Sequence, residues 1–449
     1  MTASQKINVD DLKYQNGFGN HFESQAIPDA LPKLGNNPQK PPHGLYTECI
    51  SGTAFTAPRH LNQRSWVYRL RPSVQHQPFS DYEGNKKMLS SFHPFSPDIE
   101  PTPQQLRWDP LSFKGAEDVD FVDGIVTLGG AGDTQLKDGL AIHFYNFSKN
   151  MGNKAFYNSD GDYLIVPVKG ELLITTEFGK MAVSPLHIAV VQRGLKFTVD
   201  RVDPNPQECA QGFICELYKG HFHLPELGPI GSNGLANAKD FESPVAAFED
   251  KKEEYTVVNK FVGKLFQYKQ DHSPYDVVSY SGNYVPYRYD LRKFNTIGTI
   301  SYDHPDPSIF TVLTAPTGDQ PGTAVCDFVI FPPRWLVAEN TFRPPWFHRN
   351  VMSEFMGNIQ GVYDAKAEGF MPGGASLHNM NTAHGPDAET FTKATNAELK
   401  PHKVGDGSMA FMFESAYQIV TTKWAIKESG KIQQDYWKAW QGLDKVSTL

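Results

Sequence analysis

The sequence predicts a mainly β protein with few helices. The chain has 449 residues, and its 33 prolines and 37 glycines are scattered along it between short segments. Those segments are rich in Val, Ile, Thr, Phe and Tyr, the residue types that favour extended strands. Short strands separated by Gly and Pro turns at close spacing are typical of sandwiches and barrels.

The clearest strand region is residues 160–199, with the sequence DGDYLIVPVKGELLITTEFGKMAVSPLHIAVVQRGLKFTV. A second β region covers residues 323–365 and is completed by residues 407–424. Within the latter, Met409, Phe411 and Phe413 occur at every second position, which is the period of a strand. Both regions are therefore expected to form sheets.

Two segments interrupt this pattern. Residues 224–244 are turn-prone and rich in small residues, which predicts a long surface loop or a connection between domains. The best helix candidate is residues 431–443, where Tyr436, Trp440 and Leu443 fall on one helical face. That face is expected to dock on the core of the chain, and an oligomer contact is the alternative.

Bulk composition narrows the function classes. A net charge of −8 and a pI near 6.0 give no electrostatic reason to bind nucleic acid or an anionic membrane. The first residues lack a secretory signal, and no apolar run reaches the roughly 18 residues of a membrane helix. The four cysteines show no CxxC spacing, so neither a disulfide framework nor a thiolate zinc site is expected. These properties predict a cytoplasmic protein that acts on a small molecule or a protein partner.

The segment WFHRNVMSEF, residues 346–355, places a histidine and a glutamate six positions apart. In a straight strand the Cα atoms of His348 and Glu354 would lie about 20 Å apart, and in a helix their side chains would point about 240° apart. A tight hairpin, in which His348 ends one strand and Glu354 begins the next, would put both on one face. Asn350 suits such a turn, because asparagine tolerates the left-handed conformation. One metal ion could then bind both side chains.

A third ligand is available in residues 372–389, which contain His378 and His384. Because these histidines are also six apart, only one of them is expected to bind the same ion. His384 precedes Gly385, at a point where a strand would end. Two imidazoles and one carboxylate match the facial triad of non-haem Fe(II) oxygenases, and zinc is a chemical alternative. For each residue taken singly, a hydrogen-bonded pair without metal is the alternative.

Two other histidine motifs carry weaker signals. His221 and His223 would share one face of a strand, but Pro225 breaks that strand at once, so no metal site is expected there. His304 lies on a proline-fixed loop ahead of an apolar strand. A histidine in that position is suited to proton transfer at neutral pH, and capping of the turn is the simpler alternative.

Five further segments are long and distinctive. They are YQNGFGNHFESQAIPDALP (14–32), SGTAFTAPRHLNQRSWVYRLRPS (51–73), DHPDPSIFTVLTA (303–315), FPPRW with TFRPPWFHRNVMSEFMG (331–357), and MPGGASLHNMNTAHGPDA (371–388). Together they resemble the homogentisate 1,2-dioxygenase family, and the resemblance extends over nearly the whole chain. Motifs of this length are far more specific than the spacing of the metal candidates.

The resemblance implies a role for each candidate residue. A non-haem Fe(II) would be the cofactor. Its ligands would be His348, Glu354 and His384. His304 would be the catalytic proton acceptor near the substrate hydroxyl. Tyr363 and His378 would contact or orient the substrate, and His384 would lie close to it as well.

The reaction that the resemblance implies is insertion of both atoms of O₂ into homogentisate, 2,5-dihydroxyphenylacetate. The ring would open between the carbon that bears the acetate and the adjacent hydroxylated carbon, giving 4-maleylacetoacetate in tyrosine and phenylalanine breakdown. Two alternatives stay open. One is a related dioxygenase that acts on gentisate, and the other is a double-cupin sugar-binding or storage protein.

The resemblance also implies an architecture. A large β-rich N-terminal domain over residues 1–290 would be followed by a smaller cupin-like jelly-roll domain over residues 291–449, which would bind the iron. Trimers paired into hexamers would be the homo-oligomeric form.

A second cupin-like region is predicted around residues 155–225, which have the strand rhythm of a cupin half. Tyr157, Ser159 and Tyr163 stand there at positions where a cupin would place metal ligands. We therefore expect this region to be a metal-free barrel or sandwich.

Overall fold

The computed structural model of the chain describes residues 8–113, 115–202, 208–303, 306–363 and 369–449. Over these residues the protein is mainly β, as the sequence predicts, and its strands form five sheets. None of the helices among the described residues is long and apolar enough to cross a membrane.

The strands are numbered in chain order. The first fifteen are β1 (Tyr14–Asn16), β2 (Phe22–Gln25), β3 (Tyr46–Ser51), β4 (Arg64–Arg69), β5 (Ser80–Asp81), β6 (Ile99–Glu100), β7 (Leu106–Trp108), β8 (Ile125–Asp133), β9 (Asp138–Phe147), β10 (Lys154–Asn158), β11 (Asp162–Lys169), β12 (Leu172–Thr176), β13 (Gly179–Val183), β14 (His187–Val191) and β15 (Phe197–Arg201). The others are β16 (Ala210–Leu217), β17 (Phe241–Pro244), β18 (Tyr255–Phe261), β19 (Lys264–Gln270), β20 (Val277–Gly282), β21 (Tyr287–Asp290), β22 (Thr311–Pro316), β23 (Ala324–Phe331), β24 (Arg334–Leu336), β25 (Ser353–Gln360), β26 (Ala375–His378), β27 (His402–Val404), β28 (Met409–Ser415) and β29 (Val420–Thr422).

Helical structure in the described chain is short. The single α-helix there is α1 (Ala388–Thr395), and a π-helical turn covers Trp424–Glu428. The 3-10 turns are Val9–Asp11, Pro42–Gly44, Ala116–Asp118, Gly228–Ile230, Ala238–Asp240, Leu291–Lys293, Pro307–Phe310 and Tyr436–Trp440.

The central layer is a ten-stranded sheet with the order β1, β17, β21, β14, β11, β16, β9, β8, β29, β6. Leu164 and Val166 of β11 face one hydrophobic core, whereas Tyr163 and Ile165 face another. A strand that is buried on both faces is apolar at successive positions and not only at alternate ones. This double burial explains the continuous apolar run of β11.

A seven-stranded sheet covers one face of the central layer, with the order β13, β12, β15, β10, β18, β19, β5. Phe156 of β10 stacks on Tyr163 with 5.8 Å between ring centroids. The prediction that residues 160–199 form strands of a sandwich or barrel is confirmed for the strands, of which β11 and β14 belong to the central sheet and β12, β13 and β15 to the seven-stranded sheet. A four-stranded sheet (β2, β20, β4, β3) and a two-stranded sheet (β24, β27) complete the set.

A six-stranded sheet covers the opposite face, with the order β22, β23, β28, β25, β26, β7. The second predicted β region is confirmed, since β23, β25 and β28 are neighbours in this sheet. Phe213 of the central sheet lies 5.4 Å from Phe411 and 5.9 Å from Phe355, measured between ring centroids. Burial of an aromatic side chain of this kind contributes about 1.5–3 kcal/mol.

Two short strands connect the two parts of the sequence. Strand β7 pairs with β26 in the six-stranded sheet, although it lies more than 250 positions earlier in the chain. Strand β29, near the C-terminus, pairs with β8 in the central sheet. Trp108 of β7 is buried, and its indole N–H donates to the carbonyl of Ala425 at 2.8 Å.

Three local predictions differ from the structure. The loop predicted over 224–244 ends earlier, because β17 begins at Phe241 and enters the central sheet. The predicted C-terminal helix is reduced to the 3-10 turn Tyr436–Trp440; Tyr436 is buried on the core of the chain, but Leu443 is exposed. Helix α1 was not predicted. The Asp387 carboxylate caps it by accepting from the backbone N–H of Thr390 at 2.7 Å.

Candidate metal centre

Four polar side chains stand in a row across the six-stranded sheet. Asp327 of β23 pairs with Glu414 of β28, and Glu414 pairs with Glu354 of β25. Glu354 in turn pairs with His378 of β26. Directly paired residues project to the same face of a sheet. The next row, on the core face, consists of Phe328, Phe413, Phe355 and Leu377. We call Asp327, Glu414, Glu354 and His378 the polar row.

His348 and His384 meet each other in an isolated antiparallel bridge. The backbone N–H of His348 donates to the carbonyl of His384 at 2.9 Å, and the N–H of His384 donates back at 3.1 Å. The hairpin prediction is therefore wrong, because His348 pairs with His384 while Glu354 pairs with His378, both antiparallel to the same segment of the chain. The prediction that His384 ends a strand is also wrong, because β26 ends at His378.

Three side chains converge above the polar row. The Nε2 atom of His348 lies 3.5 Å from one carboxylate oxygen of Glu354, and the Nε2 atom of His384 lies 3.1 Å from the other. One ligand atom from each of the three residues lies within 4.8 Å of the other two. Among the described residues this is the one group of three or more potential ligands with such spacing.

Both imidazoles are oriented by backbone carbonyl groups. The Nδ1 atom of His348 lies 2.7 Å from the carbonyl oxygen of Trp346, and that of His384 lies 2.8 Å from the carbonyl oxygen of Thr382. A carbonyl accepts only, so each Nδ1 carries the proton and donates it. In the neutral imidazole each Nε2 then carries a lone pair, as in a metal-binding histidine, and in the protonated imidazole Nε2 donates to the Glu354 carboxylate.

Asn350 orients the carboxylate. Its side-chain N–H donates to Glu354 at 2.7 Å, while its side-chain oxygen accepts from the backbone N–H of Met352 at 3.1 Å. The same residue therefore shapes the segment after His348 and orients the Glu354 carboxylate. The sequence analysis assigned Asn350 only the first of these roles.

The electrostatics of the group suit a cation. Burial alone would raise the pKa of Glu354, but hydrogen bonds with His348 and His384 hold that pKa well below its usual range. The hydrogen bond with Glu354 raises the pKa of His348, against the effect of burial. A carboxylate that faces two imidazole lone pairs needs positive charge between them, either a proton or a metal ion. The three side chains fit a metal bound by two nitrogens and one carboxylate.

Comparison with known proteins identifies the family of the chain. The family description "Homogentisate 1,2-dioxygenase N-terminal" matches residues 13–291, and "Homogentisate 1,2-dioxygenase C-terminal" matches residues 292–447. The chain belongs to the homogentisate 1,2-dioxygenase family. It is accordingly an enzyme of the oxidoreductase class.

Three relatives carry the name homogentisate 1,2-dioxygenase. The protein of Caenorhabditis elegans is 54% identical over 442 residues, which cover 98% of this chain and 99% of that protein. The Emericella nidulans protein is 54% identical and covers 97% of this chain and 96% of its own length. The Dictyostelium discoideum protein is 55% identical over 441 residues, with 98% of this chain and 99% of that protein covered.

Solved structures resemble the chain only at low scores. A cupin 2 conserved barrel domain protein from Leptotrichia buccalis has 9% sequence identity and a TM-score of 0.27, with 64% of this chain and 88% of that chain covered. An oxalate decarboxylase from Bacillus subtilis has 12% identity and a TM-score of 0.27, covering 72% of this chain and 81% of that chain. Similarities this low support no inference about function.

The metal group of this homogentisate 1,2-dioxygenase family member opens into a cavity of about 300 Å³, the size of a small-molecule site. Tyr363 and His378, both predicted to contact substrate, line this cavity together with His348, Glu354 and His384. His378 stacks on His384 at 4.5 Å between ring centroids, and its Nε2 lies 3.0 Å from the hydroxyl of Tyr436. His304 lies outside the described residues. Pro307, shortly after it, lines the same cavity.

Sequence reasoning missed Glu414, which also lines the cavity. Burial, followed by the negative charges of Glu354 and Asp327, raises the pKa of Glu414 to about 8. The available signal was a single acid at the end of the apolar strand MAFMFES. That signal does not reveal the strand partner, which lies 60 positions earlier.

The motif of His221 and His223, the other histidine pair considered as a metal site, has different contacts. The Nδ1 atom of His221 lies 2.5 Å from the Asp162 carboxylate, and its Nε2 lies 2.7 Å from the carbonyl oxygen of Gly52. Arg193 shares the same carboxylate at 2.7 Å. Both ring nitrogens of His221 therefore have partners within the protein.

Proposed function

We propose that the protein opens the ring of homogentisate with O₂ to give 4-maleylacetoacetate, a step in tyrosine and phenylalanine breakdown. The observation that carries this proposal is the convergence of His348, Glu354 and His384 at the end of a small-molecule cavity. The choice of homogentisate as the substrate rests on the relatives named homogentisate 1,2-dioxygenase, which match over nearly the full chain.

Fe(II) is the metal we propose for the site, held by His348, Glu354 and His384. Two histidines and one carboxylate are the ligand set of non-haem Fe(II) oxygenases and leave positions open for other molecules. Fe(II), when bound, supplies the electron transfer between a phenolate and O₂ that no protein side chain can supply. The chain itself fixes the ligands, since both imidazoles and the carboxylate have hydrogen-bond partners of their own.

Proton transfer and substrate orientation are assigned to three further residues. His304 would accept the proton of the substrate hydroxyl that approaches the metal, because an imidazole exchanges protons near neutral pH. Tyr363 and His378 would contact the substrate. Their place in the wall of the cavity, and the contact between His378 and Tyr436, support this assignment.

The cavity wall also limits access of water. Its apolar members are Phe310, Phe331, Met356 and Met412, and the polar lining is concentrated at the metal group. An aromatic ring can bury both faces against such a wall. A polar group placed in the same surroundings interacts strongly, because little water screens it.

Oxygen uptake tests the proposed reaction. The protein is loaded with Fe(II) without air, then given homogentisate and O₂, while ultraviolet absorbance follows the ring-opened product. We expect one molecule of O₂ to be consumed for each molecule of homogentisate. Little O₂ should be consumed when gentisate is given in place of homogentisate. Uptake with gentisate alone would assign the related reaction, and no uptake with either phenol would favour a binding protein.

Glu354→Gln is the variant that links this reaction to the metal site. We expect it to lose both iron and turnover, because an amide oxygen is a much weaker ligand than a carboxylate. Glu339→Gln is the matched control, since Glu339 is an exposed acid in the same part of the chain. If Glu354→Gln keeps full iron content, the ligand assignment is wrong.

Domain division and assembly are proposed with the same family. The separate family descriptions for residues 13–291 and 292–447 support domains over 1–290 and 291–449. Trimers paired into hexamers are the proposed assembly, which light scattering of the iron-loaded protein would test. A monomer at micromolar concentration would contradict it.

A further inference from the structure

Glu414 is an acidic side chain of the cavity wall that lies outside the candidate metal group. Its carboxyl group has no hydrogen-bond partner among the residues that the structure describes, and its electrostatic neighbours are Glu354, Asp327 and His348. The other members of the polar row differ in this respect. Glu354 and His378 are hydrogen-bonded, and Asp327 has a hydrogen bond with Thr314.

Metal binding does not account for Glu414. The group whose ligand atoms lie within 4.8 Å of one another contains His348, Glu354 and His384 but not Glu414. An ion pair does not account for it either, because both of its neighbours in the polar row are acids as well. A partly buried carboxyl group in an apolar wall costs free energy unless a donor reaches it. No donor among the described residues of the cavity wall is hydrogen-bonded to Glu414, so the donor would come from the bound molecule.

The charge distribution along the cavity orients that molecule. Arg349 is exposed and lines both this cavity and a shallower groove outside it, whose wall includes Trp437, so its guanidinium marks the mouth. Glu414 lines the inner cavity but not the outer groove. A substrate carboxylate at the inner end would lie near the negative charge of Glu354, so it is attracted instead toward Arg349. Its uncharged hydroxyl groups are then the parts that can lie beside Glu414.

We propose that Glu414 is a specificity-determining residue, which accepts a hydrogen bond from the ring hydroxyl of homogentisate that does not approach the metal. This inference rests on the proposed function. The bond selects for a second hydroxyl on the ring, because a ligand without it leaves the Glu414 carboxyl without a donor in an apolar wall. Glu414 thereby recognises the second ring hydroxyl, whereas the proposed metal site recognises only the hydroxyl that approaches the metal.

Binding of two ligands under anaerobic conditions tests the inference. Calorimetry on the Fe(II)-loaded protein compares homogentisate with 2-hydroxyphenylacetate, which has the same acetate and the hydroxyl beside it but lacks the second hydroxyl. We expect the protein to bind homogentisate about tenfold more tightly, the ratio expected when the other ligand leaves a buried acceptor without its donor. In Glu414→Ala this ratio should fall to about one, with unchanged iron content.

Asp327→Asn is the matched control, because Asp327 is the neighbour of Glu414 in the polar row but does not line the cavity. Asp327→Asn should bind homogentisate more tightly than 2-hydroxyphenylacetate by the same ratio as the protein without a substitution.

Four results would overturn the inference. Equal weakening of both ligands in Glu414→Ala would make Glu414 a structural residue, and loss of iron would make it a metal ligand. Absence of any preference in the unchanged protein would overturn the inference even if Glu414→Ala failed to fold. Failure of the unchanged protein to bind homogentisate at all would instead remove the proposed function, and the inference with it.

Discussion

Asn350 is not a proposed metal ligand, but its side chain orients Glu354, which is one. It closes the turn through the N–H of Met352 and donates to the Glu354 carboxylate. Groups that hold a metal ligand in this way commonly change metal affinity by about 10–100-fold when they are removed. The turn itself should survive, because β25 is held by ladders to β26 and β28.

Asn350→Ala is therefore expected to weaken iron binding by about 10–100-fold while the protein remains folded. Anaerobic iron titration measures the affinity, and circular dichroism checks the fold. Asn396→Ala is the control, since Asn396 lies in an exposed position at the end of α1. An affinity equal to that of the control would show that Glu354 needs no such support.

The pKa of His348 sets a pH dependence for the metal-free site. The hydrogen bond with Glu354 raises this pKa above 6.5, so the folded protein binds the proton more tightly than the unfolded chain. This contribution to stability is complete below pH 6.5 and is lost as the pH rises through the folded pKa. A metal must displace the same proton, so metal affinity should rise with pH over that range.

Titration of the metal-free protein at several pH values between about 6 and 8.5 measures this effect. We expect the affinity to increase with pH up to the folded pKa of His348 and then to level off. A metal affinity that does not change over this range would contradict the assigned proton.

The residue types of the metal group could be predicted from the sequence, but their neighbours could not. His348, Glu354 and His384 are recognisable because few residue types bind metals and because they occur within long distinctive motifs. Glu414 was missed since its role depends on strand register, which joins positions 60 residues apart. The strand partner of His348 was predicted wrongly for the same reason, because the pairing with His384 joins positions 36 residues apart.

At the scale of elements, a buried ionic cluster joins strands of the two larger sheets. The Lys260 ammonium of β18 lies 2.9 Å from Asp160 and 2.6 Å from Glu216, and His143 lies 2.9 Å from the same Glu216 side chain. Two carboxylates and an imidazole are residue types that bind divalent cations, and here they surround an ammonium group. The cluster supports the proposal that the region around 155–225 is metal-free.

Lys260→Met removes the ammonium at nearly constant volume and leaves two buried carboxylates without their cation. Breaking a buried ion pair in this way costs about 3–5 kcal/mol, so the free energy of unfolding should fall by that amount. Chemical denaturation measures the change. Lys264→Met, an exposed lysine on the next strand, should shift the free energy of unfolding by less than about 0.5 kcal/mol. Similar small effects of both substitutions would show that the cluster is not stabilising.

The strands were easier to predict than the helices. Strand rhythm is local, because Gly and Pro turns separate short apolar segments, and the structure confirms it in both predicted β regions. Helix α1 has no buried residue and its apolar content is low, so periodicity could not reveal it. Its one clear signal was the cap at Asp387.

At the scale of the whole molecule, the two parts of the sequence depend on each other for packing. The six-stranded sheet takes its edge strand β7 from residues 106–108 and buries Phe355 and Phe411 against Phe213 of the central sheet. Such long-range pairing has no local signature, which is why it could not be predicted. A C-terminal fragment would expose this aromatic face to water.

The fragment 291–449 is therefore expected to fold poorly and to bind no iron when produced alone, although it contains all three ligands. Sedimentation, denaturant unfolding and iron content measure this. Mixing with the fragment 1–290 should restore binding, because β7 and the central sheet are then supplied. A monomeric fragment that unfolds cooperatively and holds one iron would contradict this mutual dependence.

The central claim is that one Fe(II) binds between His348, Glu354 and His384 and nowhere else in the chain. Anomalous diffraction at the iron absorption edge, on crystals of the Fe(II)-loaded protein, tests it most directly. We expect a single strong peak per chain, bounded by the Nε2 atoms of His348 and His384 and the carboxylate of Glu354. A peak elsewhere, or a second peak beside Glu216 and Lys260, would contradict the account.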